Sequence, residues 1–327
     1  MLISASRAAD SGSIPIRAGM VHFATFPESL SNVQNFQRTM AAAMDVGDWD
    51  VLELSTDMPL AWDAIARGMA QQRGVDLFLT AGNEIVRWPF GLNSAAPRSR
   101  KQAVDRVFKL IDRTLAIGAG NLQLMSGAAA FSGNRFEYLL ESLNRVGEYV
   151  AKAGDPYLTV SFETCSTTEL HRQYLGSTPL ALWFVDKLAK EQYPCFRITF
   201  DLAHLVEIGE DPAASLEIAG DRALHLHLSS CVLAPGDPRS GDLHLPLDTP
   251  GAHPTMAETS RALQRWKARI VTAGPQEVPV ISTEVRSQPG QDSAETHRHC
   301  RRMMARFSKQ VGMHRVGAPG GSEDSLA

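Results

Sequence analysis

Between residues 18 and 312 the chain repeats one rhythm eight times, a short apolar run followed by a longer amphipathic stretch. The apolar runs are AGMVHFA, DVLELS, DLFLTA, LQLMS, YLTVSFE, RITFD, ALHLHLS and VPVISTE. Near-continuous apolar runs of this length suit strands covered on both faces. Strand–helix alternation makes successive strands parallel, because each helix carries the chain back across the sheet. The stretches between read as helices: RKQAVDRVFKLIDRTLAIG spaces Val104, Val107, Leu110, Ile111 and Leu115 for one face, and FEYLLESLNRVGEYVAKAG reaches a plausible C-cap at Gly154. No Gly-x-Gly-x-x-Gly turn follows the first strand. The pattern therefore predicts an α/β chain, a single (β/α)8 TIM barrel over residues 18–312. Residues 1–17 and the Gly- and Ser-rich 313–327 are expected to be a mobile leading segment and a disordered tail.

In such a barrel, chemistry belongs at the C-terminal ends of the strands. TVSFETC ends in Glu163, RITFD in Asp201, ALHLHLS presents His225 and His227, and VPVISTEVR ends in Glu284 with Arg286 two residues on. Each residue alone has a plain structural explanation. Glu163 or Glu284 could be an ion-pair partner, Asp201 a helix N-cap followed by a surface His204, and His225, deeper in its strand, a core imidazole bonded to backbone carbonyls. Four successive strand ends with the same residue types are less easily accidental. Converging ionisable groups in a dry mouth need a common counter-charge, and a divalent cation supplies it. Three carboxylates and one imidazole, Glu163, Asp201, Glu284 and His227, suit Mn²⁺ first, with Mg²⁺, Co²⁺ or Zn²⁺ admissible.

Other features exclude function classes. The 327 residues carry a formal net charge of −4, and Lys and Arg are dispersed, which argues against a nucleic-acid partner. No apolar run approaches the roughly 20 residues of a bilayer span and no signal-peptide core is evident, so no membrane is expected. Cys165, Cys195, Cys231 and Cys300 lie far apart, as reduced thiols in a cytoplasmic protein would.

FETC around Glu163, FDLAH with Asp201 and His204, HLHLSS with His227 and STEVR with Glu284 together resemble the xylose-isomerase-like barrels. These include sugar-phosphate isomerase/epimerases, ketose 3-epimerases and endonuclease IV-type repair enzymes. GDLHLP is similar to the family's loop ending in a His-Leu-Pro turn and adds His244. The resemblance implies a carbohydrate with a 1,2-hydroxycarbonyl chelated to the ion, with Glu163 and Glu284 as both ligands and acid/base groups. It further implies that His204 binds a substrate oxygen from outside the metal shell, and that Arg286 either does likewise or holds Glu284. His22 and Glu53 are expected to face the same mouth. A homo-oligomer is the default, with a smaller partner subunit as an option.

Two departures widen the reading. Where the ketose epimerases carry an arginine beyond the strand-seven histidine, this chain has Leu233, with Arg239 in the same loop as a substitute. That leaves room for a lyase or dehydratase, because β-elimination starts with the same proton abstraction. The repair enzymes share Glu163, Asp201, His204, His227, Asp242, His244 and Glu284 and hold three zinc ions, but they also need histidines where this chain has Asn83 and Met125. DNA repair and a non-catalytic scaffold are the lesser expectations.

Overall fold

A computed structural model describes residues 13–127, 135–165, 173–273 and 277–316. Its strands are β1 (Ile14–Val21), β2 (Val51–Ser55), β3 (Asp76–Thr80), β4 (Asn121–Leu124), β5 (Thr159–Thr164), β6 (Phe196–Asp201) and β7 (His225–Leu228), then β8 (Ser230–Val232), β9 (Gly241–Leu245), β10 (Val280–Thr283) and β11 (Met313–Arg315). β1 to β7 and β10 pair in parallel in that order, and β10 also pairs with β1, so the sheet closes. This is a single (β/α)8 barrel. Helices such as Pro97–Ile117, Arg135–Ala153 and Ser293–Val311 cover it with their apolar faces. The helix Pro97–Ile117 stops at Gly118, whose φ of +76° is the left-handed conformation that glycine adopts without a side-chain clash.

The barrel's edges extend past the expected limits on both sides. β1 starts at Ile14, inside the segment expected to be mobile, and Ile14–Ile16 pair with Met313–Arg315, inside the expected tail. Ile14, Ile16 and Met313 are buried, and Arg315 bonds Asp50 at 2.6 Å, so burial and an ion pair anchor both ends. The rest of those two segments, residues 1–12 and 317–327, lies outside the described residues.

Strand parity sorts every side chain. Gly19 faces the axis, where an added Cβ would lie 2.1 Å from Ser282 Oγ, so β1 must present no side chain there. Counting in twos along each strand, Glu53, Gln123, Glu163, Asp201, His227 and Glu284 share the inward face, above an apolar floor of Val51, Phe78 and Val280. Between floor and mouth runs a polar ladder. Asn121 donates to Ser161, Thr199 to Ser161 and, at 2.9 Å, Thr199 Oγ1 meets His225 Nδ1. The outward residues, among them Phe162, Phe196, Phe200 and Leu226, form the main core against the helices.

The connection after β7 is the long one. β8 and β9 form an antiparallel hairpin that brings Asp242 and His244 back over the mouth. Among the described residues no helix is long and apolar enough to cross a membrane.

Candidate metal and active centre

Register brings the four strand-end residues together. Asp201 pairs with His227, Glu163 stands one strand away on β5, and Glu284 follows the end of β10 beside β7. One donor atom from each of Glu163, Asp201, His227 and Glu284 lies within 4.8 Å of the others, and all four residues are buried. Each is held by its other atoms. Glu163 Oε2 accepts from Gln123 Nε2 at 2.6 Å. Asp201 Oδ1 caps the helix Leu202–Glu207 by accepting from the backbone N–H of Ala203 and His204, and Ser229 Oγ donates to both of its oxygens. The cap and the site are thus one residue's work. His227 Nε2 donates to Glu53, at 3.2 Å from each oxygen, which turns Nδ1 toward Glu284 Oε2 at 2.5 Å.

What remains is unsatisfied. Glu163 Oε1, His227 Nδ1 and Glu284 Oε2 are buried and make no well-directed hydrogen bond, although they crowd together, with His227 Nδ1 and Glu284 Oε2 only 2.5 Å apart. Orphaned buried donors and acceptors are destabilising, and three carboxylates beside one imidazole repel. Oxygen and imidazole donors at this spacing fit a divalent cation. The Glu53–His227 pair has the arrangement in which a carboxylate fixes the tautomer and aim of a ligating histidine.

The electrostatics follow from the same packing. Burial lifts the Asp201 carboxyl above its usual range. Burial acts the same way on Glu53 and Glu163, but the facing imidazoles win and hold both below theirs. Burial depresses His244, yet the carboxylates of Asp242, Glu284 and Asp201 raise it to about 9.

His204 lies against the cluster, its Nδ1 3.1 Å from the Thr164 carbonyl and 3.3 Å from Glu163 Oε1. Its Nε2 faces Asp242 Oδ1 at 3.4 Å, and His244 Nε2 reaches the same oxygen at 3.0 Å. Asp201, His204 and His244 form a second group with donor atoms within 4.8 Å. His244 has φ of +46°, a conformation disfavoured for a residue with a Cβ, as functional sites often show.

Several expectations need correction. His22 does not face the mouth: β1 ends at Val21, and His22 opens the helical turn His22–Thr25, packing on Phe26 and Phe36 with Nε2 3.1 Å from Thr39 Oγ1. Glu53 does face the axis, and its carboxylate is fully buried and taken up by His225 and His227. His225 is a core imidazole, satisfied by Glu53 and Thr199 side chains and not by backbone carbonyls. Arg286 makes no bond to Glu284. Arg239 is bound to Asp237 within its own loop, and Leu233 is exposed. Thr80 ends β3 and Leu124 ends β4, with no histidine at either, so the three-zinc arrangement gains nothing. Gln123 and Ser229 were not foreseen. Their signal was parity alone, each two positions from an inward residue.

This packing makes His22 a stability element. Burial lowers it to about 3, and burial followed by the nearby Arg301 lowers His297, which accepts from Trp49 Nε1, to about 4. Folded pKa values below the unfolded 6.5 mean the unfolded chain binds protons first, so stability is full above pH 6.5 and falls as pH drops toward 3. At pH 5, His22 alone contributes a loss of about 2 kcal/mol. Urea unfolding at pH 7.5 and 5 is expected to show it, with a shallower pH slope in His22→Leu. An unchanged slope in that variant contradicts the assignment.

The family model described as xylose isomerase-like TIM barrel matches residues 41–271, well over half of the chain. The chain belongs to that family. Among solved structures, this xylose isomerase-like barrel is similar to a D-psicose 3-epimerase from Clostridium cellulolyticum H10 with D-tagatose, at 15% identity and TM-score 0.64, covering 91% of this chain and 100% of that one. It is similar to an L-ribulose 3-epimerase at 15% identity and TM-score 0.65, covering 90% and 95%. A xylose isomerase-like TIM barrel/4-hydroxyphenylpyruvate dioxygenase fusion protein aligns at 15% identity and TM-score 0.66 over 91% of this chain, which spans 43% of that longer one. Identities this low show the shared fold. No curated protein matches the sequence.

Proposed function

We propose that this barrel is a metal-dependent sugar isomerase or epimerase that moves a proton next to the carbonyl of a keto-sugar or sugar-like substrate. The observation that carries the reading is the buried convergence of Glu163, Asp201, His227 and Glu284, with three of their donor atoms lacking well-directed hydrogen bonds. The epimerase neighbours support it at the level of fold. A divalent cation held by those four residues, Mn²⁺ by preference, supplies Lewis acidity that polarises a carbonyl and steadies the charge developing beside it. Glu163 and Glu284 exchange the proton with carbon from opposite faces. Gln123 fixes one oxygen of Glu163 so that the other is presented to the cluster. His204 binds a substrate oxygen.

Exposed Leu233 favours a second reading, in which the same abstraction leads to β-elimination in a lyase or dehydratase. NMR of products formed in D₂O from a panel of ketoses and oxidised sugars tests both: a deuterated epimer or isomer supports the first, an unsaturated product the second. Turnover that gives neither carbon-bound deuterium nor an unsaturated product rejects both.

His204→Ala is expected to keep near-normal metal content while KM rises or kcat falls. A variant purified without metal makes His204 a ligand instead.

A further inference from the structure

A cavity of about 880 Å³, whose wall begins two residues beyond Glu284, is lined by the turn after β1, the start of the chain after β3 and residues 286–293. Its charges are nearly all accounted for. Arg87 is ion-paired with Asp57, Glu28 with Arg38, and Asp292 caps its own helix and meets Arg298. Arg286 is the exception. Its half-buried guanidinium lines the cavity and makes no hydrogen bond or ion pair with any of the described residues.

The backbone determines where that cation points. Glu284 N–H donates to Leu228 and Arg286 N–H to His244, while Ser287 N–H donates to Ala24 on the opposite side. This alternation is extended chain, in which residues two apart share a face. Glu284 and Arg286 therefore point the same way, with Arg286 one step, about 6–7 Å, farther out. Val285 between them is fully buried in the core.

We propose that Arg286 is a specificity-determining residue for a carboxylate on the substrate, which makes the substrate class acidic sugars such as uronates or other keto-sugar acids. The inference rests on the proton-transfer site proposed above and adds the chemistry of the substrate's far end. A planar guanidinium matches a carboxylate bidentately. One uncompensated positive charge balances one carboxylate, and a phosphate dianion would need a second free cation, which the described residues lining the cavity do not offer.

Three ketoses matched except at C6 test this on the full-length protein: D-fructose, D-fructuronate and D-fructose 6-phosphate. Isothermal titration, with Mn²⁺ and separately after chelation, is expected to show D-fructuronate bound about 10- to 100-fold more tightly than D-fructose. The margin should shrink as salt is raised. It should vanish in Arg286→Gln, with metal content per chain unchanged, and survive in part in Arg286→Lys. Equal binding of all three, binding of none, preference for the phosphate, or a preference that persists in Arg286→Gln each overturns the proposal. If the carboxylate preference holds and depends on Arg286 but is the same with and without Mn²⁺, the metal reading fails and the acidic specificity stands.

Discussion

A Glu163→Gln, Glu284→Gln double variant, reloaded with excess Mn²⁺, is expected to lose washout of carbon-bound hydrogen into D₂O. Either single variant should lose about 10²- to 10⁴-fold in rate, the usual range for removal of a general base. Glutamine preserves size and one oxygen donor while removing the basic oxygen. The two positions need not respond equally. Glu163 already has Oε2 engaged by Gln123 Nε2, so a glutamine there must turn its own oxygen to that partner and its NH₂ toward the cluster. That adds an amide donor facing His227 and His204, and metal affinity should fall further than in Glu284→Gln. Restoring occupancy with excess ion separates the two effects. A metal-loaded double variant that still exchanged at the wild-type rate would falsify carboxylate-based carbon-acid chemistry, and attention would turn to hydrolysis.

The mouth was legible in the sequence because strands announce themselves as apolar runs and a charge at the end of such a run stands out. Glu163, Asp201, His227 and Glu284 are of that kind, and the structure brings them together. The residues that aim them were harder to see. Gln123 and Ser161 sit inside short strands where one polar residue looks tolerable, and only the parity of the closed barrel shows that they face the axis. The end of β1 misled. The run AGMVHFA carries no signal that the strand stops at Val21 and that His22 opens a helical turn. Glu53 was seen, but its role depends on a distance across the barrel to His225 and His227, more than 170 positions away in the chain. The hairpin β8–β9 was partly visible as the GDLHLP loop, while its strain at His244 belongs to folded geometry alone.

Stripping the protein with a chelator is expected to abolish activity and also to lower its thermal stability, with Mn²⁺ or Co²⁺ restoring both. The second effect follows from the arrangement without any assumption about substrate. Glu163, Asp201 and Glu284 converge in a buried space where, among the described residues, no lysine or arginine pairs with them and the imidazoles of His204, His227 and His244 stand nearby. An ion that binds the folded chain alone adds RT ln(1 + [L]/Kd), about 2.7 kcal/mol at a hundredfold excess over Kd. For a chain of this size that is a rise in Tm of roughly 4 °C. Glu53 should tune the effect: Glu53→Gln leaves His227 without the carboxylate that holds Nε2–H, and loss of such a partner typically weakens metal binding about 10- to 100-fold. Calorimetry of wild type and Glu53→Gln across a Mn²⁺ titration reads the shift directly. Fully active protein with no stoichiometric divalent ion, or a Tm indifferent to Mn²⁺ in both proteins, leaves the four residues as a structural charge cluster and removes the ground for a metal-assisted reaction.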